Sequence, residues 1–243
     1  MGEMSEPTPI LALHGNLGST SDWNRVEVAG LKAVDLWDHS EKGFHEFAEA
    51  LAGPLSEGME KPILAGYSLG GRLALHALAA YPERWSGAVI LAAHPGLCCV
   101  EDRMARRSSD AVWARWAREL SWPEFLDRWN DQPLFEEPPG ELLQRQQELE
   151  SRREAVAEAF ENWSLGRQEN LRSSLGKFVG PIVWLTGGKD VRFGRIGDEM
   201  AGIHRSIRHI VVPECGHRVL EACPERVADA LRELAGSRQL PLT

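Results

Sequence analysis

Three side chains far apart in the chain, Ser68, Asp190 and His217, combine a hydroxyl, a carboxylate and an imidazole. Gly66-Tyr67-Ser68-Leu69-Gly70 matches G-x-S-x-G and falls between an apolar run, "PILAGY", and a helix-like segment, "GGRLALHALAAY". That setting suits a sharp strand-to-helix turn that lifts a serine above a sheet, with glycines where neighbouring backbone leaves no room for a β-carbon. A serine hydroxyl is a weak nucleophile and a weak base near neutral pH. It needs a partner to take its proton and a third group to hold that partner. "TGGKD" places Asp190 just past one apolar run and "VVPECGH" places His217 just past the next, so both are expected at the sheet edge that carries Ser68. Asp190 alone also reads as a turn or helix-capping residue, and Asp35 or Asp102 could supply the acid. The other seven histidines fall mostly within strands, helices or early loops.

Such chemistry develops negative charge on a substrate oxygen and needs donors for it. The backbone N–H of Leu69, following the serine, is one. The second comes from the loop after the first strand, where "ALHGNLGSTSDW" makes Asn16 the best candidate, with Leu17 beside it. "GNLG" fits neither a dinucleotide-binding glycine pattern nor a P-loop. No nucleotide, metal or other cofactor is expected.

The elements that must position these groups recur along the chain. Apolar runs at 9–15, 30–37, 61–68, 85–93, 180–188 and 206–214 suit strands covered on both faces. Amphipathic segments lie between them, and "PERVADALRELAGS" opens on a proline at the first helical turn. This pattern predicts an α/β fold with a mostly parallel, doubly wound sheet. From about Gly96 to Lys177 the strands stop, and helical spacing rich in Arg, Glu, Gln and Trp takes over. Residues 1–95 and 178–243 are therefore expected to form the core, and 96–177 a helical lid over the carboxyl ends of the strands, where such sheets bind ligands. Five of the nine tryptophans lie in this insertion (Trp113, Trp116, Trp122, Trp129 and Trp163). For any one of them, simple packing is the plainer reading.

Composition narrows the partners. A formal charge of −9 over 243 residues argues against general nucleic-acid or membrane-surface binding. The opening MGEMSEPTP lacks a secretory pattern and no run reaches membrane-spanning length, so a cytoplasmic protein is expected. Cys98, Cys99, Cys215 and Cys223 fit no zinc-ligand spacing and read as reduced thiols. A monomer and a homodimer are both compatible with the sequence.

"LHGNLGSTSDW", "GYSLGGRLAL", "HPGL", "ARRSSDAVWA" and "DRWNDQPLF" together resemble the α/β-hydrolase-fold 2-succinyl-6-hydroxy-2,4-cyclohexadiene-1-carboxylate synthases of menaquinone biosynthesis, and the likeness covers nearly the whole chain. The resemblance implies an enzyme of the α/β-hydrolase fold that eliminates pyruvate from a carboxylate-rich cyclohexene. It also implies that Tyr67, Arg72, Arg106 and Trp129 contact substrate. Arg72 lies four residues after Ser68, hence on the same helical face, and a guanidinium there can hold a carboxylate in a bidentate pair. A surface or inter-helix ion pair is the alternative reading for Arg72, and a solvated helix face for Arg106. The chain also departs from the pattern: Glu148 stands where a third lid arginine is expected, with Arg152 and Arg153 about one turn on. "VDLWDHSEKG" replaces the usual D-L-P-G-H-G, and Asn16 replaces an aromatic. The alternatives are a carboxylic-ester or thioester hydrolase working through an acyl-enzyme, and a non-catalytic binding protein on the same fold.

Overall fold

The computed structural model describes residues 6–136, 138 and 140–236. Six parallel strands form one sheet in the order β2-β1-β3-β4-β5-β6: β1 (Ile10–Leu13), β2 (Leu31–Val34), β3 (Ile63–Tyr67), β4 (Gly87–Leu91), β5 (Ile182–Gly187) and β6 (Ile207–Val212). Each lies inside one of the apolar runs. The four central strands are buried at every residue, whereas edge strands β2 and β6 expose part of theirs, as strands covered on one side only must.

Alternation along the strands divides the core in two. Leu11, Leu13, Leu64 and Ile90 face helices α1 (Phe44–Ala52), α2 (Leu69–Ala80) and, further along the chain, α7 (Val191–Ile203). Ile10, Ala12, Val89 and Leu91 face the opposite side, where α8 (Val219–Ala222) and α9 (Pro224–Gly236) pack. The sheet reverses its winding at β1/β3, and ligands of such sheets bind beyond the strand carboxyl ends near that point.

Between β4 and β5 the chain forms α3 (Val100–Glu119), α4 (Trp122–Asn130), α5 (Gly140–Glu148) and α6 (Arg153–Asn162), with no strand among the described residues. These helices are tied to the sheet side by charge. Arg145 on α5 pairs with Asp22 at 3.2 Å and with Glu221 at 2.6 Å. Glu158 on α6 accepts from the Ser40 hydroxyl at 2.7 Å. Trp122, Trp129 and Trp163 are buried in the core and Trp113 and Trp116 pack against it, so all five tryptophans here serve packing.

One expectation is corrected. Cys215 and Cys223 form a disulfide, while Cys98 and Cys99 remain free thiols. The chain turns back through α8 directly after His217, and this return brings Cys223 to Cys215. A linear sequence does not display that proximity.

Candidate active site

Ser68 follows the last residue of β3 and precedes the first of α2, and its backbone has φ +50°, in the left-handed region that L-residues adopt only when their surroundings enforce it. The surroundings do so through close backbone approach. A β-carbon on Gly70 would meet the carbonyl oxygens of Leu13 and His14 at 2.3 and 2.5 Å, and one on Gly66 would meet the Gly70 carbonyl oxygen at 2.5 Å. The Gly70 N–H donates to His14 O at 3.0 Å, and the Ser68 N–H donates to Leu91 O at 2.8 Å. Strands β1 and β4 thus clamp the turn on both sides.

Asp190 N-caps α7, with Oδ1 accepting from the Phe193 N–H at 3.1 Å. Its other oxygen, Oδ2, accepts from His217 Nδ1 at 2.7 Å, with both side chains almost fully buried. That bond places the imidazole proton on Nδ1, which leaves Nε2 to accept from the Ser68 hydroxyl at 3.2 Å. Phe193 and Tyr67 flank the imidazole, with ring centroids 4.6 and 5.8 Å away. One oxygen of Asp190 thus caps α7 while the other binds the imidazole. The alternative acids lie elsewhere: Asp35 pairs with Arg152, and Asp102 lies exposed on α3.

A cavity of about 370 Å³ opens above Ser68, and Asn16, Tyr67, Leu69, Arg72, Arg106 and Trp129 all line it, together with His217. Leu69 is the first residue of α2, so its N–H has no acceptor within the helix. Asn16 keeps a buried side-chain oxygen, Oδ1, without a hydrogen-bond partner among the described residues. Burial pushes the Tyr67 phenol up, so it stays protonated. Trp129 packs edge-on against Trp113 and Phe160, which form an aromatic wall of the cavity with it.

The arginines differ in how they are held. Arg72 is buried and donates through Nη1 to Trp163 O at 2.8 Å and to Gln168 Oε1 at 3.3 Å. Burial, with the Arg106 guanidinium as a lesser influence, lowers it to about 9, which still leaves it charged at neutral pH. Arg106 donates through Nε to both oxygens of buried Asp110, at 2.8 and 2.9 Å. Its ion pair with Asp110 lies in the cavity lining, while the Arg106 side chain is still 38% exposed.

No lid arginine at 152 or 153 reaches the cavity. Arg152 pairs with Asp35 and Asp38 at the surface. Arg153 donates to the carbonyls of Ala117 and Leu120, capping the end of α3. Glu148 is exposed.

Several cavity residues were not singled out from the sequence, among them a histidine and an arginine. His94, in the "HPGL" segment, accepts from the Gly96 N–H through Nδ1 at 3.0 Å. Burial and the nearby Arg172, Arg192, Arg72 and Arg106 hold it down at about 3, so it is a neutral ring with its proton on Nε2. The other is Arg192, in the first turn of α7, two residues beyond Asp190. Its position just past a strand end was the signal that could have found it.

The alpha/beta hydrolase family model matches residues 10–230. The chain is 33% identical over 240 residues to the 2-succinyl-6-hydroxy-2,4-cyclohexadiene-1-carboxylate synthase of Pectobacterium atrosepticum, covering 92% of each. It is 31% identical to the synthase of the same name from Serratia proteamaculans, covering 95% of this chain and 94% of that one. Among solved structures, MenH from S. aureus superposes with a TM-score of 0.87 at 21% identity, covering 99% of this chain and 98% of that one. A thermophilic esterase from Thermogutta terrifontis superposes with a TM-score of 0.75 at 22% identity, covering 96% of this chain and 90% of that one. At these identities the two structures speak to the fold alone.

Proposed function

Because the chain belongs to the alpha/beta hydrolase family and aligns nearly end to end with relatives named 2-succinyl-6-hydroxy-2,4-cyclohexadiene-1-carboxylate synthase, we propose that it catalyses that step of menaquinone biosynthesis, eliminating pyruvate from a carboxylate-rich cyclohexene. The observation that carries this reading is the pairing of a hydrogen-bonded Ser68–His217–Asp190 chain with a cavity lined by arginines. An ordinary ester would gain nothing from those cations.

In this mechanism His217, oriented by Asp190, takes the Ser68 proton, and the serine oxygen removes a proton from a substrate carbon next to a carbonyl. The C–H electron pair moves toward that carbonyl, whose oxygen gathers charge against the N–H groups of Leu69 and Asn16. The pair then returns through the ring to break the C–O bond to the pyruvate unit. The departing unit takes up the proton held by His217, and Ser68 keeps the one it removed from carbon, so both residues end as they began. Arg72 and Arg106 hold substrate carboxylates, while Tyr67 and Trp129 shape the cavity around the ring. Residues 96–177 act as the lid. No helix among the described residues is long and apolar enough to cross a membrane, and the reaction is placed in the cytoplasm on a monomer or homodimer, without a cofactor.

The test is pyruvate release from the cyclohexene precursor, set against an acyl-enzyme burst from an activated aryl ester. Pyruvate release without a burst supports the lyase. A burst with no pyruvate replaces it with an ester or thioester hydrolase using the same three residues. Neither activity would leave a binding protein on this fold.

A further inference from the structure

Three guanidiniums, those of Arg72, Arg106 and Arg192, line the cavity above Ser68, against one carboxylate, Asp110. They are not equivalent. Arg72 is committed in part to Trp163 O and Gln168, and Arg106 is clamped by Asp110. Arg192 has neither constraint. Its guanidinium lies 5.8 Å from the centroid of the Phe193 ring, and it makes no hydrogen bond and no ion pair with the described residues. Phe193 in turn packs on His217, so Arg192 stands on the cavity wall that carries the imidazole.

Arg192 also borders the adjoining opening formed by Pro133–Glu136, Lys189 and His217, which places it at the mouth. Of the two acids at that opening, Glu136 lies 3.9 Å from Lys189 and Asp190 is bound to His217. The field of Arg192 nevertheless reaches inward, since it acts on His94 alongside Arg72 and Arg106. A free, planar donor group at the entrance of a cationic cavity suits a second carboxylate on a ligand whose first carboxylate lies deeper.

We infer that Arg192 is a substrate-binding and specificity residue that grips a carboxylate at the cavity mouth and makes the site select polycarboxylates over monocarboxylates. This rests on the proposed reading of the site as one for a multiply carboxylated ring. It goes beyond that reading in assigning the outer carboxylate to the sheet domain, at a helix start beside Asp190, instead of to the lid.

The experiment measures binding of benzene-1,3,5-tricarboxylate and of benzoate to the intact protein by quenching of the tryptophan fluorescence that Trp113 and Trp129 contribute inside the cavity. Arg192→Ala is expected to weaken tricarboxylate binding about tenfold or more, with benzoate unchanged within about twofold and Arg192→Lys recovering most of the loss. Arg195→Ala removes the same charge from an exposed position on the same helix and outside the cavity lining. It is expected to leave both affinities alone. The inference is overturned if Arg192→Ala binds the tricarboxylate like wild type, if both ligands weaken equally, if Arg195→Ala has the same effect, or if wild type shows no preference for the tricarboxylate. In the pyruvate assay, Arg192→Ala should raise KM with kcat held within about threefold. A wild-type protein that releases no pyruvate but shows the Arg192-dependent tricarboxylate preference refutes the proposed reaction and leaves the role of Arg192 standing.

Discussion

The hydroxyl of Ser68 stands 3.2 Å from Nε2 of His217 although 149 residues separate them, and the opposite ring nitrogen is held by Asp190 at 2.7 Å. The arrangement leads from a buried carboxylate to a hydroxyl at the floor of a cavity. Ser68→Ala should therefore cut pyruvate release by about 10³-fold or more. Its circular dichroism and Tm should match wild type, since among the described residues the Ser68 side chain makes no hydrogen bond except to His217. Activity near wild type in a folded variant would refute the mechanism.

In the proposed mechanism Asp190 serves chemistry through one oxygen and the helix through the other, so two substitutions separate the roles. Asp190→Asn keeps an oxygen for the Phe193 N–H but disturbs the imidazole tautomer, and kcat should fall about 10³- to 10⁴-fold with little loss of stability. Asp190→Ala should lose activity similarly and also about 1 kcal/mol of stability with the cap. Thermal melts and pyruvate assays run in parallel on both variants check this, and equal stability of the two would contradict the capping role.

Arg72 has a structural part as well as its proposed binding one. Arg72→Ala leaves Gln168 Oε1 and Trp163 O without this donor. The variant should lose turnover or substrate affinity and also about 1–3 kcal/mol of stability. A denaturant titration decides the second point. An unchanged midpoint would mean that Arg72 acts on ligand alone.

The elbow depends on glycine for space. Gly70→Ala forces a β-carbon against two backbone carbonyls, so it should cost about 1–3 kcal/mol and displace Ser68, reducing activity together with Tm. Gly194→Ala on α7 has open space around the new carbon and should instead stabilise by about 0.4–1 kcal/mol. Comparing the two melts tests whether close approach, and not glycine content, governs the turn.

His76 should make stability depend on pH. Burial, aided by Arg72, holds it at about 3 against an ordinary 6.5, so the unfolded chain binds this proton where the native state does not. The contribution is complete above pH 6.5 and is lost progressively as pH falls toward 3. Between pH 7 and pH 5 wild type should lose about 2 kcal/mol more than His76→Phe, a variant that keeps the stacking on Phe44. Parallel slopes for the two proteins would show that His76 does not titrate between the states.

Local pattern made much of this protein legible. The four central strands were visible because a strand buried on both faces must be apolar throughout, and the glycines of the serine turn announce backbone crowding directly; edge strands β2 and β6 showed through their apolar residues despite Lys32, Arg208 and His209. The order Ser68, Asp190, His217 follows from strand-end positions, because parallel strands bring every one of their carboxyl ends to the same rim.

Direction and partnership were not legible, since they depend on groups brought together only by folding. Arg72, Arg106, Arg152 and Arg153 look alike as letters. Tertiary contacts assign the first to Trp163 and Gln168, the second to Asp110 beside the cavity, the third to surface acids and the fourth to a helix end. The Cys215–Cys223 pairing and the entry of Arg192 into the cavity have the same origin. A periodic pattern records which face of an element avoids water, whereas the partner of a charged or reactive group is chosen by whichever segment the fold lays beside it.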